Sequence, residues 1–254
     1  MRATILAFCA TIALSSAKPI VPAQKHASTA HLDTAVWLDS SRGRSIPVAM
    51  WSKAGAPTAD QRPVLISHGY NENLPGTYLH YRYLCEFLAD RGYFVVSIQH
   101  EAPGDEPLAM SGNLIALRKP NWERGARNIG FVLGELERAY PELNFPHLTL
   151  LGHSNGGDMS VLYALQHPDL VENLITLDNR RMPLPRARRP RVLSLRSTDV
   201  PADEGVLPSI EEQAAYGIRV VPLHDVKHNE MSDRANAAQR AEITRLVLEF
   251  LNAP

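Results

Sequence analysis

From residue 32 onward, short apolar runs alternate with amphipathic stretches of helical period. The runs are Val64-Leu65-Ile66-Ser67, Phe94-Val95-Val96-Ser97-Ile98, Leu148-Thr149-Leu150-Leu151, Asn173-Leu174-Ile175-Thr176-Leu177, Arg191-Val192-Leu193-Ser194-Leu195 and Ile218-Arg219-Val220-Val221-Pro222-Leu223. Each is short and dominated by aliphatic residues, the pattern of a strand covered on both faces. Between them, residues 78–89 place Tyr83, Leu84, Phe87 and Leu88 on one helical face, and residues 122–139 place Ile129, Val132, Leu133 and Leu136 at i, i+3, i+4 and i+7. Further helices are expected from residue 154 to about 166, over 209–216 and over 237–251, with loops at 54–62 and 99–120. Ahead of all this, Ala35-Val36-Trp37-Leu38-Asp39 and Ile46-Pro47-Val48-Ala49-Met50-Trp51 read as a hairpin closing around Arg42-Gly43. Strands alternating with helices predict an α/β fold: a mostly parallel central sheet with helices on both faces and an N-terminal antiparallel hairpin. No repeat and no Pro/Gly-rich linker divides residues 32–254, so one domain is expected.

Composition sharpens this only in places. The chain has 254 residues, 44% hydrophobic and 21% charged, with a net charge of -1, enough material for one globular core. That charge argues against a nucleic-acid binder, whose footprint is basic. At the N-terminus, Arg2 precedes an apolar run to Leu14 that is too short to span a bilayer, and Ser15-Ser16-Ala17 supplies small residues for cleavage. Residues 1–17 are therefore expected to be a signal peptide cleaved after Ala17, followed by a flexible leader over 18–31. The mature protein is expected to be secreted or periplasmic, with no stable membrane insertion. Cys85 would be its one cysteine, a buried thiol without a disulfide partner. His100-Glu101 and Gly104-Asp105-Glu106 lack a nearby second His or Cys cluster, so they read as a solvated rim and no metal site is expected.

The chemistry concentrates at Leu150-Leu151-Gly152-His153-Ser154-Asn155-Gly156-Gly157. Here an apolar strand runs into Gly-x-Ser-x-Gly and then into a helix carrying Met159, Val161, Leu162 and Leu165. A serine on such a sharp strand-to-helix turn is held in a strained conformation with its hydroxyl exposed, and glycine is needed where a Cβ would strike the neighbouring strand or helix. The helix N-terminus turns free N–H groups toward that hydroxyl, an arrangement suited to a developing oxyanion.

With that motif at its centre, nearly the whole mature chain resembles the α/β-hydrolase fold. The order of hairpin, His68-Gly69 loop, Ser154 elbow, late acid and final histidine carries the likeness, and compact dienelactone-hydrolase-like, platelet-activating-factor-acetylhydrolase-like and cutinase-like esterases are similar. The resemblance implies a Ser-acid-His order. Ser154 is then the nucleophile and His228, in the loop after the last strand, the base; His224 is the competitor but adjoins the strand end. Asp199, after the strand over 191–195, is the expected acid, with Asp203 and Asp178 as alternatives. Oxyanion donors are expected from the Asn155 and Tyr70 amides, and His68 is expected to buttress the loop bearing Tyr70.

Too few residues separate Asp178 from Arg191 to build a helical lid, so the cleft is expected to be open or roofed only by residues 99–120. The arginines between 179 and 191, Arg180 and Arg181 foremost, read either as a solubilising surface or as a clamp for an anionic substrate. Trp51 and Trp122 are expected in packing roles. The function that follows is an exported serine hydrolase cleaving small-molecule carboxylic esters through an acyl-enzyme, without a cofactor. An amidase, peptidase or thioesterase with the same triad, or a non-catalytic binding protein on the same fold, is the alternative.

Overall fold

A computed structural model describes residues 28–53 and 57–253. The expected signal peptide and all of the leader up to residue 27 lie outside the described residues. So does the cleavage site. The leader's last residue, His31, is already the first of strand β1.

Eight strands form one sheet in the order β1-β2-β4-β3-β5-β6-β7-β8. β1 (His31–Asp39) and β2 (Arg44–Ser52) are the predicted hairpin, joined through Gly43 at φ +60°. β2 runs antiparallel to β4 (Phe94–Ile98). From there β3 (Pro63–Ser67), β5 (Thr149–His153), β6 (Asn173–Leu177), β7 (Arg191–Arg196) and β8 (Arg219–Pro222) continue in parallel. Every residue of β3, β4, β5 and β6 is buried, which is why these strands read as continuous apolar runs rather than alternating ones.

The pleat divides their side chains between two cores. Leu65, Leu150 and Leu174 pack with helices α2 (Leu114–Ala139) and α3 (Ser154–Gln166) on one face. Val64, Ile66, Leu151 and Ile175 pack with α1 (Arg82–Ala89) and α5 (Ala237–Asn252) on the other. Helix α4 (Ile210–Tyr216) begins with a capping box made by Ser209 and Glu212. Cys85 is a buried free thiol, as expected, and burial pushes its pKa well up.

Two elements differ from the sequence reading. α2 starts at Leu114 rather than near residue 122, so the first part of the expected loop is loop and the last part is helix. Pro120 lies inside it, and the Asn113 side chain caps it by accepting from the Ala116 N–H. Pro in a helical stretch normally signals a boundary, but the tertiary contacts of Arg118, Asn121 and Trp122 outweigh the one lost backbone bond. At the other end of the expected 78–89 helix, residues 77–79 form a 3-10 turn and α1 proper begins at Arg82. Among the described residues there is no separate lid domain, and no helix is long and apolar enough to cross a membrane.

Candidate active site

Parallel strands deliver their C-terminal ends to one edge of the sheet, and the loops leaving β3, β4, β5, β6 and β7 meet there. At the centre, Ser154 follows β5 directly and adopts φ +52°, a strained conformation for a residue with a Cβ. The glycines explain how the turn fits. A Cβ on Gly152 would lie 2.4 Å from the Gly156 carbonyl oxygen, and one on Gly156 would lie 2.3 Å from that of His68. Both positions exclude any side chain, because the obstructing atoms are backbone.

Ser154 Oγ lies 2.8 Å from His228 Nε2, and His228 Nδ1 lies 2.5 Å from Asp178 Oδ2. A carboxylate there can only accept, so Nδ1 bears the proton and Nε2 is free to accept from the serine hydroxyl. Asp178 is fully buried, at φ +58°, one residue past the end of β6. It also accepts hydrogen bonds from the Ser197 backbone N–H (3.1 Å) and the Ser197 hydroxyl (2.6 Å), and it forms an ion pair with the Arg196 guanidinium (2.8 Å). Burial alone would raise the carboxyl pKa, but the His228 hydrogen bond, Arg196 and Ser197 together hold it below its ordinary value.

The carboxylate at the His228 ring is thus Asp178 and not the expected Asp199. Asp199 is exposed, and its Oδ1 accepts from the backbone N–H of His228 at 2.7 Å rather than from the ring. Asp203 is farther out: its backbone N–H donates to the Arg180 carbonyl, and its carboxylate lies 3.6 Å from Arg181 Nε. Sheet order supplies the reason. β6 is the immediate neighbour of β5, so the residue after β6 is one strand from Ser154, whereas the loop after β7 starts two strands away. His224 is exposed and paired with Glu242 at 2.6 Å rather than with Ser154.

Asn155 is the second residue of α3, where a backbone N–H has no carbonyl one turn back to receive it. Its side chain is locked in place. The Trp122 indole N–H donates to its Oδ1 at 2.9 Å, and its Nδ2 donates to Asn121 Oδ1 at 2.8 Å and Glu101 Oε1 at 3.1 Å. His100 and Glu101 are buried at 1% exposure each, so the expected solvated rim is corrected for this pair, which turns inward to where Glu101 meets Asn155, whereas Gly104 and Glu106 are exposed and Asp105 is half-buried. Among the described residues no group of His, Cys, Asp and Glu is arranged to hold a metal ion.

The Tyr70 backbone N–H donates to none of the described backbone or side-chain groups. Its ring hydroxyl accepts from the Leu108 N–H at 3.1 Å, which ties the loop over residues 99–113 to this one. His68 buttresses the Tyr70 loop as expected: the His100 backbone N–H donates to its Nε2, so its Nδ1 carries the proton and donates to the Gly69 carbonyl. The sequence reading put Trp122 in a packing role and Glu101 on a solvated rim, and it assigned no role to Asn121, Arg196 or Ser197, since no local spacing marks a residue that acts through a tertiary hydrogen bond.

A family model described as alpha/beta hydrolase fold matches residues 62–197. The chain belongs to the α/β-hydrolase family. This α/β hydrolase is 26% identical over 154 residues to the "sn-1-specific diacylglycerol lipase ABHD11" of Mus musculus, a match covering 55% of the chain and 45% of that relative. The match thus spans less than half the length of the curated relative. Among solved structures, a brefeldin A esterase described as a bacterial homologue of human hormone sensitive lipase superposes with a TM-score of 0.63 at 12% identity, over 92% of this chain and 80% of that one. A putative dienelactone hydrolase from Klebsiella pneumoniae gives a TM-score of 0.56 at 15% identity, over 88% and 100%. At such identities the likeness is one of fold.

In this α/β hydrolase the two leading arginines of the 179–191 segment are fastened through their backbones. Asp158, buried on α3, accepts the backbone N–H groups of Arg180, Arg181 and Met182 on one oxygen, at 3.2, 2.9 and 2.8 Å. Burial raises the Asp158 pKa to about 6 against the pull of these bonds. Arg186 reaches back to the carbonyls of Leu184, Gly205 and Val206, while Arg191 lies over the Phe250 ring. Much of this cationic segment is thus a framework for the loop after Asp178.

Proposed function

We propose that this α/β hydrolase is a serine hydrolase acting on carboxylic esters of small molecules, with Ser154, His228 and Asp178 as its triad. The observation that carries the reading is the continuous hydrogen-bonded path from Ser154 Oγ through the His228 ring to Asp178, built on a serine at φ +52°. In the first half-reaction Ser154 Oγ attacks the acyl carbon while its proton passes to His228 Nε2. The carbonyl oxygen becomes an oxyanion facing the Asn155 and Tyr70 amides. Collapse expels the alcohol, which takes the proton from His228, and leaves an acyl-serine. Water then repeats the sequence, giving its proton to His228 and its oxygen to the acyl group, and Ser154 is regenerated. Asp178 stays ionised throughout and keeps the imidazole in the tautomer that accepts from serine. Export follows from the character of residues 1–17 and is part of the proposal; N-terminal sequencing of protein from a culture would check cleavage after Ala17.

A fluorophosphonate probe, which phosphonylates activated serines, tests the centre directly. Labelling of the wild type that disappears in Ser154→Ala and His228→Ala, with turnover of p-nitrophenyl esters, is the expected result. Folded wild-type protein that takes no label would overturn the triad. Label without ester turnover would overturn the ester reading and leave the nucleophile standing.

A further inference from the structure

His153, between the elbow glycine and the nucleophile, makes a pair of hydrogen bonds that the catalytic path does not use. Its Nε2 lies 2.9 Å from the backbone carbonyl oxygen of His228, and its Nδ1 lies 2.7 Å from the Tyr81 hydroxyl. A carbonyl can only accept, so Nε2 carries the proton and Nδ1 takes the phenolic hydrogen. The Tyr81 oxygen in turn accepts the Gly69 backbone N–H at 3.1 Å. Both side chains are buried. The result is a three-bond path from the backbone of Gly69, which precedes the oxyanion residue Tyr70, to the backbone of His228, which bears the base. It is rooted at His153, the last residue of β5.

Two further observations describe the surroundings of this path. Gly69 lies against the imidazole so closely that a Cβ there would meet His153 Nδ1 at 2.6 Å. On the open side, a cavity of about 70 Å³ lined by Tyr70, Thr77, His80, Asn229 and Arg234 separates the oxyanion loop from the segment after His228, so close packing does not fill the gap there. The rings of His153 and His228 are 4.8 Å apart, centre to centre.

We propose that His153 and Tyr81 form a positioning strut that holds the oxyanion donor and the general base at a common spacing around Ser154. The inference rests on the triad reading above. A neutral ring suits the role: His153 is buried and its pKa is lowered to about 3, so it adds no charge beside His228 when that ring takes up the serine proton.

The test is the second-order rate constant for fluorophosphonate labelling, measured per folded molecule in Tyr81→Phe, His153→Asn and the double variant, with kcat and KM on a p-nitrophenyl ester alongside. Tyr81→Phe removes one oxygen atom and carries the test if His153→Asn does not fold. A loosened strut misplaces both catalytic elements, so labelling and kcat are expected to fall about tenfold to a hundredfold with KM little changed. The double variant should be no slower than the slower single, because both break one path. Nitrogen NMR of the wild-type imidazoles should show His153 with the proton on Nε2 and none on Nδ1 from pH 5 to 9. Unchanged labelling in Tyr81→Phe, additive effects in the double variant, or a proton on His153 Nδ1 would each overturn the strut. Failure of the triad reading looks different, since then the wild type itself takes no label.

Discussion

Two carboxylates touch His228 from neighbouring loops, and the contrast between them shows what holding an imidazole by its ring requires. Asp178 meets the ring. It is fully buried, held by Ser197 and Arg196, and kept ionised against burial. Asp199 meets the backbone N–H of the same residue, is exposed, and leaves the ring untouched. Both lie just after a strand in the family's chain order, so proximity in sequence does not separate them. What separates them is the company each keeps. A carboxylate fixes a tautomer only if it is itself oriented and charged, and that takes several donors inside a dry site.

The widest gap is expected between substitutions at these two positions. Asp178→Asn should lower kcat about 10³- to 10⁴-fold, because an amide can present an N–H to His228 and favour the wrong tautomer. Fluorophosphonate labelling should slow with it. Equal losses in Asp178→Asn and Asp199→Asn, measured side by side, would erase the distinction.

Acid titration sharpens the contrast by comparing a buried charge with buried neutral rings. The unfolded chain protonates its histidines near pH 6.5, whereas folded His153 does so only at about 3. His153 therefore contributes stability that is complete above pH 6.5 and is lost as pH falls toward 3. By pH 4 that loss is about 3 kcal/mol from this ring alone. His100, fully buried and also shifted well down by burial, contributes in the same direction. Asp158 acts oppositely, gaining stability as pH falls from about 6 through its unfolded value. Urea unfolding of wild type and His153→Asn at pH 7 and pH 4 isolates the first effect: the variant should lose about 3 kcal/mol less on acidification. Equal losses in the two proteins would show that His153 charges in the folded state. Asp178, with a pKa held below its ordinary value, loses its contribution only further down, as pH falls through the carboxylate range.

A smaller effect is expected on the oxyanion side. Trp122→Phe leaves Asn155 Oδ1 without its indole donor in a buried setting, at a cost of about 1–3 kcal/mol in unfolding free energy. A loss of about tenfold in kcat is expected with it, as the Asn155 amide loses its fixed aim. Full activity at reduced stability would mean that the clamp serves the fold alone.

The smallest change belongs to Asp199→Asn, where Oδ1 still accepts from the His228 N–H. Less than about threefold in kcat is expected.

The legible parts of this protein share one property: their cause is local. Apolar runs in β3, β4, β5 and β6 announce strands buried on both faces, and the repeat of Ile129, Val132, Leu133 and Leu136 announces α2 as a helix. The Ser154 turn is written in Gly152 and Gly156, because backbone atoms a few residues away or on the adjacent strand leave no room for a Cβ. The start of α2 was not legible, since Pro120 is a breaker by its own chemistry and is overruled by what the helix packs against. The burial of His100 and Glu101 was not legible either, because a polar pair after a strand looks the same whether it turns outward or in.

By itself, then, the chain's pattern determines an α/β sheet, its order of elements, and one serine placed on a glycine-framed turn, since periodicity and backbone sterics act over a few residues. The choice of carboxylate at the His228 ring, the Asn155 clamp and the His153–Tyr81 contacts were decided only by tertiary structure. Each depends on which loops the sheet order makes neighbours, and a hydrogen bond between loops is set by a register that no local spacing encodes.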